Sequence, residues 1–438
     1  MPLGKVSSPP CSPLLGNIAD TSSTPSIRAI SPPPLHTHGT NAPPCRLSAE
    51  IAVSEASAQT SPKSAFSSTT APPRNAATSL EGYVQTLCKE INFYAEQGAA
   101  SLTPPITSIF FGGGTPSLLS VAHINTLLNT LQRSFSLAAD VEITLEANPD
   151  SALRQTWLHD IRQAGINRLS LGVQSFFDDS LAILGRCHTA AQAQEALAAA
   201  HRANFQSISL DLMWGLPWNP KAPPQNTPMN RWLQTLETAL QLSPQHISAY
   251  GLILEEGTPL TLQVAAGTVT LPCEEEEQAM YRAGIDFLHA HGYHQYEISN
   301  YALPGHECRH NIGYWTGEEY LGFGPAAVST VSGLRRTNTP NIHDWAQGIY
   351  AYHPVVEEET LTPHMLQEEK VMLSLRMTSG LALIDWLNVS PTPLSHMPFV
   401  EQLVAENLAT LTSTHLRLTP SGMMVSNAII SRLFEAIP

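Results

Sequence analysis

From Ser79 onward, short apolar runs alternate with amphipathic stretches, and this rhythm constrains the fold more than any other feature of the chain. The runs span 106–111, 141–146, 167–173, 207–213 and 246–251. Between them lie helical patterns at 121–134, 151–164, 178–203 and 228–242. Runs this short are strand-sized, and each is followed by enough chain for a helical crossover, which predicts a parallel α/β sheet or barrel. In such folds the chemistry sits on loops at the C-terminal ends of the strands. Ser79 is expected to cap a helix with Val84, Leu87, Ile91 and Tyr94 on one face. A further helix is expected over 274–291. Its first turn, Glu274 to Glu277, complements the helix dipole and reads as a solvated start rather than a metal site, while Tyr281, Ile285 and Leu288 form its apolar face.

Two segments fall outside this rhythm. Residues 1–78 are rich in Ser, Pro, Thr and Ala, with clusters such as Ser8-Pro9-Pro10 and Ser31-Pro32-Pro33-Pro34 that interrupt periodicity and remove backbone donors. They are expected to form no core. The composition fits disorder or a misplaced gene start better than an amphipathic transit peptide. At the other end, 331–438 is expected to form a C-terminal domain. Its small-module patterns begin near Thr360: helices over 365–378 and 398–410, a strand at 416–419, a turn at Ser421-Gly422 and a last helix over 427–437. Helices around short strands suggest a winged-helix-like α+β module.

Charge excludes some functions for that module and for the chain. There are 37 acidic against 22 basic side chains, a net charge of -15, so nucleic acid and anionic lipid are poor partners. No apolar run approaches the roughly 20 residues that span a bilayer, and a cytoplasmic location is expected. The six cysteines (11, 45, 88, 187, 273 and 308) are scattered, which argues against both a disulfide framework and a cysteine metal site.

The strand tips carry the candidate chemistry. They read Gly112-Gly113-Gly114-Thr115-Pro116, Glu146-Ala147-Asn148-Pro149, Leu171-Gly172-Val173-Gln174-Ser175-Phe176 and Asp211-Leu212-Met213-Trp214-Gly215-Leu216-Pro217. Taken singly, each has a plain structural reading: a tight glycine turn, or a capping or ion-paired carboxylate. Together, polar groups at successive strand ends suit a zwitterionic ligand, and glycines let its carboxylate approach backbone N–H groups.

In this order and spacing the four motifs resemble the coproporphyrinogen-dehydrogenase branch of radical S-adenosylmethionine (SAM) proteins. Gln295-Tyr296-Glu297-Ile298-Ser299-Asn300-Tyr301-Ala302 and His310-Asn311-Ile312-Gly313-Tyr314-Trp315 resemble the HemW family of heme chaperones in particular. The resemblance covers residues 80 to 438 and implies a partial (β/α)6 TIM-type barrel that binds SAM at its mouth. It places Gly113, Gly114 and Thr115 against the methionine moiety, and gives Glu146, Gln174, Arg186 (expected on the helix after the third tip) and Asp211 the remaining SAM contacts. It implies heme or porphyrin as cargo, heme-accepting respiratory proteins as candidate partners, and Cys308 and His310 as candidate heme ligands, with His310 as a structural hydrogen bonder near Tyr314 and Trp315 the competing reading.

The sequence departs from the family at two places. The family's Cys-x3-Cys-x2-Cys motif, which holds a 4Fe-4S cluster, is missing. Ser57, Ser61 and Ser64 stand at its spacing, with Phe66 two residues beyond, in a Ser-rich stretch where the match also reads as coincidence. Hydroxyls are harder and far less acidic than thiols and should hold such a cluster poorly. Val328 stands where the family usually has a histidine. Three readings follow: a HemW-like heme-binding and transfer protein with a SAM site but no cluster ligands, a radical SAM coproporphyrinogen III dehydrogenase, or a clusterless SAM- or porphyrin-binding regulator.

Overall fold

A computed structural model of the chain describes residues 47–53, 79–98, 105–154, 156–218 and 226–437. Six strands run parallel in sequence order: β1 (Leu47–Val53), β2 (Ile106–Gly113), β3 (Leu137–Ala147), β4 (Arg168–Gln174), β5 (Ser207–Trp214) and β6 (His246–Gly251). The main helices between and after them are Leu80–Glu96, Val121–Ser134, Trp157–Ala164, Ala190–Arg202, Pro228–Gln241 and Glu274–Ala290, so the architecture is a partial (β/α)6 TIM-type barrel. Beside β6 lie the short strands β7 (His294–Gln295) and β8 (Asn300–Ala302). Beside β1 lies β9 (Glu319–Phe323), parallel to it, followed outward by β10 (Val328–Val331), β11 (Leu334–Asn338) and β12 (Val356–Thr360). A separate sheet of β13 (Leu381–Ala382), β14 (Ala409–Leu411) and β15 (His415–Leu418) packs with helices Pro363–Ser374, Pro398–Ala405 and Ser426–Phe434 to form the C-terminal α+β module.

Period-two patterning decides which face of each parallel strand meets the helices. Ile109 and Phe111 of β2, Ile143 and Leu145 of β3, Leu169 and Leu171 of β4, and Ile208 and Leu210 of β5 are buried in one cluster with Leu87, Leu127, Leu197 and Leu236 of the helices. Each such side chain contributes about 1.5–3 kcal/mol by leaving water. Most of the alternate residues are polar, and several of them bond to one another across the strands. Ser108 donates to Ser48 at 2.8 Å, Arg168 pairs with Glu142 at 3.4 Å, Ser170 donates to Asp211 at 2.9 Å, and Ser209 bonds His246 at 2.7 Å. One face of the sheet is therefore oily and the other hydrogen-bonding.

The structure corrects three expectations. The segment 1–78 was expected to contribute no core, yet β1 lies within it, between β2 and β9, with Leu47, Ala49 and Ile51 buried. Seven residues of alternation are hard to see beside so much Ser and Pro. Residues 178–203 form not one helix but two, Asp178–Ile183 and Ala190–Arg202, because Gly185 turns left-handed at φ 69° and Thr189 caps the second. Finally, β11, β12 and the helix Ile342–Tyr350 belong to the barrel sheet and its core, so the C-terminal module begins after Thr360 rather than at 331. Ser57, Ser61 and Ser64 lie outside the described residues.

Candidate functional site

The candidate site is the barrel mouth, where the polar strand faces end. Gly112 is closely covered there: a Cβ would come 2.6 Å from the Phe110 ring and 3.4 Å from Glu146 Oε2, so a side chain would displace the ring. Gly113 is left-handed at φ 95°, and its N–H donates to the Glu146 carboxylate. Gly114 and Thr115 lead from β2 into the 3-10 turn Pro116–Leu118. Glu146, near the end of β3, has its pKa pushed up to about 8, by burial first, then by Asp211 and Glu50. Asp211, on β5, is raised to about 6 by burial, against hydrogen bonds from Ser170 and Ser248 and the charges of Arg186 and Arg168. The charge of Asp211 opposes ionisation of Glu146, and a cation beside the two recessed carboxyls would favour their charged forms.

The remaining sequence candidates stand at the rim. Gln174 closes β4 with φ 66°, and its amide nitrogen is 3.3 Å from where a Gly172 Cβ would sit, so Gly172 makes room for it. Arg186 is exposed on the loop after Gly185, not on a helix as expected, and from there its charge acts on Asp211. Sequence reasoning missed Ser170 and Ser248. The signal was present as Ser-x-Asp-type polar alternates inside apolar strands, but only the register between strands shows that they face Asp211.

Cys308 and His310 lie beside the barrel sheet. They open the helix Arg309–Thr316, whose first amides donate to Glu142: Arg309 N at 3.2 Å and His310 N at 3.1 Å. Cys308 is 2% exposed, its thiol faces Glu142 at 3.5 Å, and burial pushes its pKa up to about 12. His310 is also 2% exposed, bonded to Ser108 through Nδ1 and stacked on Phe110, with its pKa lowered to about 4 by burial. In this structure the Cys308 thiol and the His310 imidazole are both enclosed by neighbouring side chains. The same helix turns Tyr314 and Trp315 toward a different feature, a cavity of about 790 Å³ walled by that helix, β9–β11 and the helix Pro363–Ser374. Its volume lies within the roughly 300–1,000 Å³ of small-molecule sites.

Residues 94–224 match the Radical SAM superfamily. The chain is 34% identical over 377 residues to the heme chaperone HemW of Synechocystis sp., covering 81% of this chain and 88% of that one. It is 36% identical over 312 residues to the heme chaperone HemW of Bacillus subtilis, covering 69% and 77%. The chain belongs to the HemW family of radical SAM proteins. Outside the bacteria, the family match extends to the mitochondrial radical S-adenosyl methionine domain-containing protein 1 of Danio rerio, 33% identical over 339 residues and 74% of each chain. The fold is shared with the Escherichia coli coproporphyrinogen III oxidase HemN, a radical SAM enzyme, at TM-score 0.68 and 21% identity over 89% of this chain and 90% of that one.

Membership in the HemW family implies SAM and a 4Fe-4S cluster, and the residues fit the two unequally. For SAM, the glycine turn at Gly113, whose N–H reaches Glu146, and the recessed carboxyls of Glu146 and Asp211 suit a cationic, zwitterionic ligand. For the cluster, the donor set does not fit. Among the described residues the cysteines are 88, 187, 273 and 308, spread over separate elements, and no group of three His, Cys, Asp or Glu could hold a metal. Nor does 54–78, which follows β1, contain a cysteine. No helix among the described residues is long and apolar enough to cross a membrane.

Proposed function

We propose that this HemW-family chain is a tetrapyrrole carrier that binds heme or a related porphyrin and retains a SAM pocket without iron–sulfur chemistry. The observation that carries the reading is the pairing of a polar mouth with cysteines that, among the described residues, do not converge on a cluster site. At the mouth, the Gly113–Thr115 turn and Glu146 would hold the methionyl end of SAM, and Asp211, Gln174 and Arg186 would hold the rest. SAM, when bound, would bring a sulfonium and an ammonium group, and either cation would favour the ionised forms of Glu146 and Asp211. The cargo would sit in the 790 Å³ cavity, whose walls include Trp315, Tyr320, Leu366 and Leu373, a surface suited to a flat apolar ring. Heme-accepting proteins of respiration are the partners this reading calls for.

The test is a pair of titrations on the purified full chain. Hemin should give a saturable Soret shift at a stoichiometric end point, and SAM should give a calorimetric isotherm that Glu146→Ala/Asp211→Ala abolishes. Hemin uptake no better than that of the heat-unfolded chain would overturn the carrier reading. An isotherm unchanged in the double variant would remove SAM from the mouth.

A further inference from the structure

Building on the carrier reading, we propose that Arg335 is the residue that grips a carboxylate of the bound tetrapyrrole, and that Glu369 occupies that grip in its absence. Arg335 projects from β11 and Glu369 from the helix Pro363–Ser374, on two walls of the cavity. Their contact is a two-point fork: Nη1 to Oε1 at 2.7 Å and Nη2 to Oε2 at 2.8 Å. Thr330 Oγ1 accepts from Arg335 Nε at 3.3 Å, which fixes the plane of the guanidinium toward that partner. A planar fork of this kind is the geometry a free carboxylate takes with arginine, and a lysine could not supply it.

Three features make the pair a site rather than a plain strut. First, it lines the cavity and is neither buried nor solvated, with side-chain exposures of 28% and 30%, so a ligand can reach it. Second, cations are scarce in that lining. Lys370, the next residue, is already held by Asp385 at 2.7 Å, and Glu318 and Glu319 add negative charge. An anionic ligand is therefore unwelcome everywhere in the cavity except at Arg335. Third, exchanging Glu369 for a ligand carboxylate trades one forked ion pair for another of equal geometry, so the exchange costs little, while the ring's burial against Trp315 and Tyr320 drives it. The exchange also frees the helix Pro363–Ser374 from β11, since the fork spans that gap. The ligand class is thus a flat apolar ring bearing carboxylates. Its acid groups decide selectivity, and Glu369 sets the affinity it must beat.

The experiment compares protoporphyrin IX with its dimethyl ester, by fluorescence titration of the full chain in dilute detergent. Glu369→Gln should bind the diacid roughly tenfold more tightly, about 1.4 kcal/mol, as expected when a competing charge-assisted contact is removed. It should leave the ester unchanged. Arg335→Gln should weaken the diacid by about the same factor and again spare the ester. Arg335→Lys, which keeps the charge but loses the fork, should fall between the two. Circular dichroism confirms that each variant is folded. Diacid and ester shifting together in either variant would reduce the pair to a structural latch and overturn the proposal. Wild-type protein that binds neither ligand would sink the carrier reading itself, and this assignment with it.

Discussion

Ser170 on β4 donates its hydroxyl hydrogen to Asp211 Oδ1 on β5 across 2.9 Å. The bond stabilises the ionised carboxylate and is the largest of the influences opposing the effect of burial on Asp211. Ser170 thus positions Asp211 and keeps it charged. In Ser170→Ala the Asp211 pKa should climb above about 6, so SAM affinity should fall more at pH 6 than at pH 8. Ser170→Thr should retain the wild-type profile. Calorimetry at the two pH values checks this, and an equal loss at both would mean Ser170 acts on shape alone.

Glu146 predicts a second pH dependence. With its pKa at about 8, it is mostly protonated at neutral pH and becomes a carboxylate as pH rises. A cationic ligand binds the charged form better, so SAM binding should strengthen between pH 6.5 and 9. Glu146→Gln should flatten that rise and bind more weakly at the alkaline end. A profile of unchanged slope in the variant would show that Glu146 does not contact the ligand.

Stability should fall as pH rises through neutrality, and Glu90 is one cause. This residue is fully buried in the helix Leu80–Glu96, where it accepts from Gly324 N at 2.8 Å and Asn338 Nδ2 at 2.6 Å. Burial raises its pKa from 4.5 to about 7 despite those bonds. The folded chain therefore holds this proton more tightly than the unfolded one. The resulting stabilisation is complete below 4.5 and is lost as pH passes 7. Thermal melts from pH 5 to 8 should show wild type losing Tm relative to Glu90→Gln, whereas parallel curves would assign the trend to other groups.

Anaerobic reconstitution with iron and sulfide should leave the wild-type chain without a stable cluster, because no thiolates converge among the described residues or after β1. Uptake of about four irons per chain with broad visible absorption would refute this. If Ser57, Ser61 and Ser64 are relics of cluster ligands, cysteines at all three should restore binding, and a triple moved by one residue should not. Equal iron uptake by both triples would dismiss the relic idea.

Much of the fold was legible because its causes are local. The apolar runs at 106–111 and 207–213 and the face of Val84, Leu87, Ile91 and Tyr94 bury as the sequence spacing requires, since a period of two or of nearly four fixes which side chains share a surface. Ser79 caps its helix through Gly82 N at 3.1 Å, a contact three residues long that sequence order alone dictates. The positions of Gly113 and Glu146 at strand ends were legible for the same reason, because the end of a parallel strand is the end of a short run, whereas Asp211 lies inside β5. Relationships between distant segments had no local signal. That Leu47–Val53 inserts between β2 and β9 depends on an open sheet edge formed by residues 59 and more positions later. Cys308 and His310 looked like ligands, and only the packing of their helix onto Glu142 of β3 encloses them. The Arg335–Glu369 fork joins residues 34 positions apart on a strand and a helix that meet only when the C-terminal module docks. Periodicity is written into the chain one turn or one pleat at a time, whereas register and docking are decided by which surfaces remain to be buried once those elements exist.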